Sequence, residues 1–157
     1  MQTLRAMGHE VTSLTEPDFE SLIASARAAV KKRPDALVVV GGDGMVNLAV
    51  NLVAGTKVPL GLIPSGTGND MARALGIPYD NTENAIGVLS EALGRPARVI
   101  DAVRVRWDGA DAGERWFACV LSAGFDSIVN ERANTMTWPK GKSRYNLAIL
   151  VELARLK

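Results

Sequence analysis

The chain has 157 residues, 47% of them apolar, and a formal net charge of +1. That is long enough for one compact domain, or for a domain and part of another, and too apolar for wholesale disorder. Its acids and bases are interspersed, which excludes a broad basic field for nucleic acid. No apolar run reaches the roughly 18–20 residues that span a bilayer, and the N-terminus lacks a signal-peptide pattern. A cytoplasmic protein, at most peripheral to a membrane, is the expectation. The single cysteine, Cys119, sits in the apolar run Phe117-Ala118-Cys119-Val120-Leu121. It allows no internal disulfide, and a buried, inert thiol is expected there.

In chain order, residues 1–10 read as the last turns of a helix running into a short strand over 10–14. His9 falls at the turn between them and is expected to be an exposed loop residue. Thr15-Glu16-Pro17-Asp18 supplies a turn, a cap and a proline near a helix start. Residues 19–32 are helical, with Phe19, Leu22, Ile23, Ala26 and Val30 at three- and four-residue spacing. Arg33-Pro34-Asp35 breaks that helix. The fully apolar run 36–40 has the signature of a central parallel strand. A helix over 45–54 follows, with Val46, Ala49, Val50 and Val53 on one face, and then a second buried strand over 58–63. Asp70–Leu75 is a short helix ended by Gly76, and Thr82–Leu93 a longer one stopped by Gly94.

After Gly94 the pattern alternates. Residues 97–107 and 116–122 read as strands joined by the hairpin loop 108–113. The fold expected is α/β: a Rossmann-like parallel-sheet domain over residues 1–95, followed over 96–157 by the opening of an antiparallel β region. Both ends read as cut, since the first helix has no strand before it and the last amphipathic pattern, 145–154, has no stop signal.

Two glycine-rich loops carry the chemistry. Gly41-Gly42-Asp43-Gly44 follows the first apolar strand, and Ser65-Gly66-Thr67-Gly68-Asn69-Asp70 follows the second. Glycine lets backbone amides converge on an anion, and a helix starting just after adds unpaired N–H groups and a positive dipole end. Two such loops on neighbouring strands would floor a nucleotide polyphosphate. Asp43 and Asp70 place a carboxylate in each, where magnesium or a proton would need one. Neither loop is a Walker A or a dinucleotide fingerprint. Asn69 and Asp70 also fit as caps of the helix beginning near Met71.

Gly41-Gly42-Asp43-Gly44, then Pro64-Ser65-Gly66-Thr67-Gly68-Asn69-Asp70-Met71-Ala72-Arg73, closely resembles the catalytic domain of diacylglycerol kinases and their bacterial and sphingosine-kinase relatives. The resemblance continues through Ala74-Leu75-Gly76-Ile77-Pro78, Val99-Ile100-Asp101, Ser122-Ala123-Gly124-Phe125-Asp126 and Tyr145-Asn146-Leu147-Ala148. It implies a nucleotide-binding α/β domain over residues 1–95 followed over 96–157 by the beginning of an antiparallel β-sandwich domain, with Trp107, Trp116 and Trp138 in its core or at its edge. It also implies an ATP- and Mg2+-dependent lipid kinase, with ATP contacts from Gly41, Gly42, Asp43, Gly44, Gly66, Thr67, Gly68 and Asn69 and Thr15 on the adenine side. Asp43 would hold metal or serve as base, with Asp70 and Asp126 as further metal candidates.

The resemblance also implies that Asp101 and Asp126 fall where the family places acidic residues near the cleft, which makes Asp101 the second catalytic candidate. Asp101 alternates with Val99 and Val103, so it should share their face, where a carboxylate wants a partner. Asp126 reads equally as a turn cap. Lys140-Gly141-Lys142-Ser143-Arg144 is a basic loop, for which a solvated surface is the commoner reading; the resemblance to sphingosine-kinase-like relatives implies a phosphate contact, with Arg144 the candidate. The partners implied are a lipid substrate reached by transient membrane contact and a second copy of the chain, with no nucleic acid.

The chain also departs from the family pattern. Met45 stands where Thr is usual and Leu48 where Glu is common. The opening strand with its Asn-Pro turn and the later Asp-Gly-Glu stretch are not in this sequence, so it reads as a fragment. A kinase of a soluble acceptor, as NAD kinases and phosphofructokinases share the Gly-Gly-Asp-Gly turn, is the alternative that Ser65-Gly66-Thr67-Gly68-Asn69-Asp70 speaks against. A nucleotide-binding module without catalysis is the other.

Overall fold

The computed structural model describes residues 1–155, apart from the side chain of Lys142. Burial on both faces of the parallel strands decides the architecture. Strands β1 (Leu37–Gly41) and β2 (Leu60–Pro64) pair in parallel, from Leu37 opposite Leu60 to Gly41 opposite Pro64. Helix α3 (Asp43–Val53) makes the crossover that a parallel pair requires.

Leu37, Val39 and Leu62 point to one face of the sheet. There they pack with Val30 of α2 (Phe19–Lys31), with Val46, Ala49 and Val50 of α3, and with Met71 and Ala72 of α4 (Asp70–Leu75). On the other face Ile63 meets Leu4 of α1 (Gln2–Ala6) and Leu89 of α5 (Thr82–Leu93), flanked by Val11, Val38 and Ile86. Helices thus cover both faces, as the two continuous apolar strand runs demand.

Local signals set the helix ends. Asp18 caps α2, accepting from the Ser21 amide at 2.8 Å and the Ser21 hydroxyl at 2.9 Å; these bonds hold its carboxyl below the ordinary carboxylate value. Asn81 caps α5 through the Asn84 amide at 3.0 Å. Gly76, at φ 72°, closes α4 in the left-handed region.

The antiparallel part is a hairpin of β3 (Val103–Trp107) and β4 (Gly113–Phe117). It is shorter than the pattern suggests. The Trp107 indole donates to the Asp111 carbonyl at 2.6 Å and lies over Gly113, where a Cβ would sit 2.6 Å from the ring. The turn therefore closes early and β4 ends at Phe117. Asn51 of α3 then clamps the hairpin: its side chain donates to the Trp116 carbonyl at 2.8 Å and accepts from the Trp116 amide at 2.9 Å. Trp116 and Ala118 pack against the α/β core.

Two expected strand segments are not strands. Residues 10–14 and 97–102 run without regular structure, because no ladder partner lies beside either. The consequences reach individual residues. Val99 is 92% exposed. Cys119, beyond the end of β4, is exposed rather than buried. His9 is half-buried instead of free in a loop, its Nε2 lying 3.0 Å from the Ser90 hydroxyl.

Contacts group Met1–Cys119 into one compact unit and the residues from Val120 onward into a second. The second unit holds α6 (Phe125–Thr135) and α7 (Lys142–Leu153), packed through Val129, Ala133 and Ala148. A half-buried ion pair, Arg132 with Glu152, ties the two helices together. Trp138 belongs to the segment between them, outside any sheet.

Gly61 of β2 is packed under Leu89 of α5: a Cβ there would lie 2.7 Å from the Leu89 Cδ1 and 3.0 Å from the Val38 Cγ2. Gly61→Ala is expected to destabilise the first unit by about 1–3 kcal/mol through overpacking. Leu89→Ala in the same background should relieve part of that loss, so urea melts of the double-mutant cycle should be less than additive.

Candidate functional site

The parallel register places the two glycine-rich loops side by side, because Gly41 and Pro64 are partners at the strand ends. The Ser65 amide donates to the Gly41 carbonyl at 3.0 Å, carrying the pairing one residue past the ladder. Beyond it the two backbones touch. A Cβ on Gly66 would fall 2.5 Å from the Gly42 Cα, and one on Gly42 would fall 3.0 Å from the Gly66 Cα. Only glycine fits at both positions.

Helix α3 begins directly at Asp43, two residues earlier than the sequence pattern indicates, with Gly42 at the N-cap. Asp43 and Gly44 therefore form its first turn. Their amides have no partner inside the helix and stand at its positive end. Gly44 is exposed, and a Cβ there would meet nothing within 4 Å. Met45 covers Gly41, where a Cβ would sit 2.6 Å from its Cγ.

The second loop is closed by Asn69. This residue is 6% exposed and adopts a left-handed backbone at φ 53°, ψ 39°, a region asparagine tolerates. Its side chain does not cap α4. Instead it accepts from the Gly66 amide at 3.0 Å and donates to the Gly66 carbonyl at 2.8 Å. Gly66 accordingly contributes space, its amide being already engaged, while Ser65 and Thr67 stay exposed.

The cap of α4 comes from the other loop: Asp43 Oδ1 accepts from the Met71 amide at 3.2 Å. The second oxygen, Oδ2, lies against Gly68, where a Cβ would be 2.6 Å from it and 3.8 Å from the Asp70 Oδ2. Asp43 and Asp70 thus flank one glycine. Asp70 is paired with Arg73, whose guanidinium also donates to the Gly68 carbonyl at 2.7 Å and lies 5.5 Å from the Tyr79 ring centre.

The structure brings together Gly41, Gly42, Asp43, Gly44, Gly66, Thr67, Gly68, Asn69 and Asp70. Of the remaining candidates in the first unit, neither Thr15 nor Asp101 is hydrogen-bonded to these loops among the described residues. Thr15 is exposed, its hydroxyl 3.0 Å from that of Ser13. Asp101 is exposed in the irregular segment before β3, so the expected alternation with Val99 and Val103 on a shared apolar face does not form.

Asp126 lies in the second unit, in the first turn of α6. Hydrogen bonds from the Ser122 and Tyr145 hydroxyls hold its carboxyl below the ordinary value, and the Asp126 carboxylate raises the Tyr145 phenol. Arg144 donates from Nε to the Pro139 carbonyl at 2.9 Å, while the side chain of Lys142 lies outside the described residues. Among the described residues no three His, Cys, Asp or Glu side chains cluster as a metal-holding group.

Arg73 and the capping role of Asp43 were missed by sequence reasoning. Arg73 had a usable signal, standing three residues after Asp70 on a helix. The bond from Asp43 to Met71 spans 28 residues and leaves no local trace.

The profile of the family described as the diacylglycerol kinase catalytic domain matches residues 2–104. Among named relatives, a diacylglycerol kinase of Mycobacterium tuberculosis is 42% identical over 154 residues, 98% of this chain and 48% of that protein. A diacylglycerol kinase of Bacillus subtilis is 33% identical over 98 residues, 61% of this chain and 32% of the relative. A probable lipid kinase YegS-like protein of Xanthomonas campestris is 37% identical over 120 residues, covering 73% and 36%. The chain belongs to the diacylglycerol kinase catalytic-domain family. It spans about half the length of the mycobacterial relative.

Two outcomes follow from the geometry. Gly66→Ala should force the loops apart and lower stability in urea by about 1–3 kcal/mol, whereas Gly44→Ala, with open space for its methyl, should change stability by no more than about 0.5 kcal/mol. For Asp126 the folded value is depressed, so its contribution is present above the ordinary value of 3.8 and is lost as pH falls through the folded one. Carboxyl NMR titration should place its midpoint below 3.8, and Tyr145→Phe should move it upward.

Proposed function

We propose that this chain is the nucleotide-binding part of an ATP- and Mg2+-dependent lipid kinase acting on diacylglycerol or a similar lipid alcohol. The observation that carries this reading is the contact of two glycine loops, which directs the first turn of α3 and residues 66–68 to one place beside two carboxylates. The names of the relatives support the lipid class.

In this reading the Asp43 and Gly44 amides and the exposed Thr67 hydroxyl bind phosphate oxygens, and the α3 dipole favours their charge. The residues fit magnesium in the way that ion is usually held, by one or two carboxylates plus substrate phosphates. Asp43 Oδ2 and Asp70 are those carboxylates, with Arg73 competing for the latter. Bound there, the ion would neutralise charge on the phosphates.

Transfer joins the lipid hydroxyl oxygen to the γ-phosphorus as the bond to the β-phosphate oxygen breaks, releasing ADP. The hydroxyl proton passes to a carboxylate, for which Asp43 and Asp101 are the candidates. Thr15 on the adenine side and Asp126 as an acidic group of the site are further parts of the same proposal. Among the described residues no helix is long and apolar enough to cross a membrane.

Asp43→Asn separates the two duties of that residue. It keeps an oxygen for the Met71 amide but loses the charge, so the fold should survive while Mg2+-dependent ATP affinity falls at least about ten-fold, roughly 1.4 kcal/mol. Calorimetry of the chain with ATP, with and without Mg2+, reads this directly. Gly44→Ala should likewise keep stability and weaken ATP, because the methyl would meet only the ligand. In the intact protein, γ-phosphate should pass from ATP to diacylglycerol in mixed micelles. ATP binding without transfer to any lipid alcohol would instead assign a non-catalytic nucleotide module.

A further inference from the structure

Along the outer side of β2, both packing and hydrogen bonding are incomplete. The Leu37 amide donates to the Pro59 carbonyl at 2.9 Å, and the Ser65 amide donates to the Gly41 carbonyl at 3.0 Å. Residues 59, 61, 63 and 65 therefore turn their backbone groups to β1, while Leu60 and Leu62 turn theirs away. Those outward groups have no hydrogen-bond partner among the described residues, although Leu62 is buried. Buried backbone groups are rarely left so.

Beside this edge lies a cavity of about 870 Å³. Leu60 and Leu62 line it, residues 37–41 of β1 do not, and residues 97–100 and Ala102 form part of its wall. Closely packed interiors leave few voids larger than a water molecule. The segment 97–102 alternates as a strand does, and it follows β2 through α4 and α5. A strand that returns through such a crossover lies parallel to the first, with a right-handed connection. In the structure it is irregular, and Val99 is 92% exposed.

We propose that residues 97–102 are a strap that closes onto the outer edge of β2 as a third parallel strand when nucleotide occupies the glycine loops. Closing fills the cavity and pairs the Leu60 and Leu62 backbone. It also sets Asp101 near the carboxyl end of the new strand, the end at which open α/β sheets hold their ligands. Asp101 supplies the coupling, because its carboxylate stands level with the loops only in the closed form. A ligand shifts an equilibrium only through such a difference between the two states. The trigger rests on the lipid-kinase reading; the pairing of the strap with β2 does not.

Amide hydrogen exchange of the chain, followed by NMR with and without ATP and Mg2+, tests the strap. In the free chain the Leu62 amide should exchange faster than those of Gly61 and Ile63, which face β1. ATP with Mg2+ should slow Leu62 at least about ten-fold. Val99→Pro and Ile100→Pro each remove a donor, and one of two successive residues must face β2. At least one of them should abolish the slowing while Gly61 and Ile63 stay protected. Asp101→Asn should reduce the slowing by ATP and leave the free-chain rates unchanged. Unchanged Leu62 exchange with ATP shown bound by calorimetry, or slowing that survives both proline variants, would overturn the strap. Absence of ATP binding would fail the kinase reading instead. The strap is then read in the free chain, where transient closure should slow Leu62 at least about two-fold relative to the proline variants; equal rates there would overturn it.

Discussion

The contact between Gly42 and Gly66 is the constraint on which the site depends. Parallel pairing of β1 with β2 brings the two strand ends level, but level ends alone would leave the loops a side chain apart. Two adjacent glycines remove that spacer and let backbone meet backbone, with no room for a Cβ on either side. Once the loops touch, the start of α3 comes within reach of the start of α4, and the Asp43 carboxylate can bond the Met71 amide. Remove the contact and the cap goes with it.

That cap explains an otherwise odd feature of α4. The residue at its N-cap position, Asn69, is of a type that normally accepts from the helix's own first amides. Here its backbone is left-handed and its side chain is turned back to Gly66, closing the loop with two hydrogen bonds in a buried site. An unpaired amide at a helix start is costly when water is scarce, and Asp43 supplies the missing acceptor from across the loop pair. One carboxylate therefore holds structure with one oxygen and faces Gly68 with the other. The neighbouring carboxylate, Asp70, is already paired with Arg73, which also donates to the Gly68 carbonyl. Charge in the loop is thus arranged asymmetrically, with Asp43 the less committed acid.

The sequence revealed what local physics determines. Helices α2, α4 and α5 and the strands β1 and β2 follow from three-to-four spacing, apolar runs, the cap Asp18 and the stops Gly76 and Gly94. Both loops were visible as glycine-rich turns after strands. Elements that depend on a neighbour were not. Residues 97–102 alternate as a strand should, yet alternation supplies only a face to bury, and without a ladder partner Val99 and Asp101 lie open. Cys119 fails for the same reason, because the apolar run outlasts the strand. The Asn51 clamp on Trp116 joins residues 65 positions apart and could not be read locally.

Met45 shows how one substitution in a motif can be read through packing. Its Cβ and Cγ occupy the space that a side chain on Gly41 would need, so in this chain Gly41 makes room for the thioether arm at the end of β1. The strand end is thereby shielded by an apolar group, where a Thr would have offered a shorter arm and a hydroxyl. In the proposed reading, the backbone donors for phosphate lie further along, in the first turn of α3 and at residues 67 and 68. These are the places where the loops are open: Gly44 and Thr67 are exposed, while Gly41 and Gly42 are packed. The polar face of the site is therefore carried by the start of a helix more than by the glycine turn before it. Its strength depends on how firmly α3 is seated against the sheet by Val46, Ala49 and Val50.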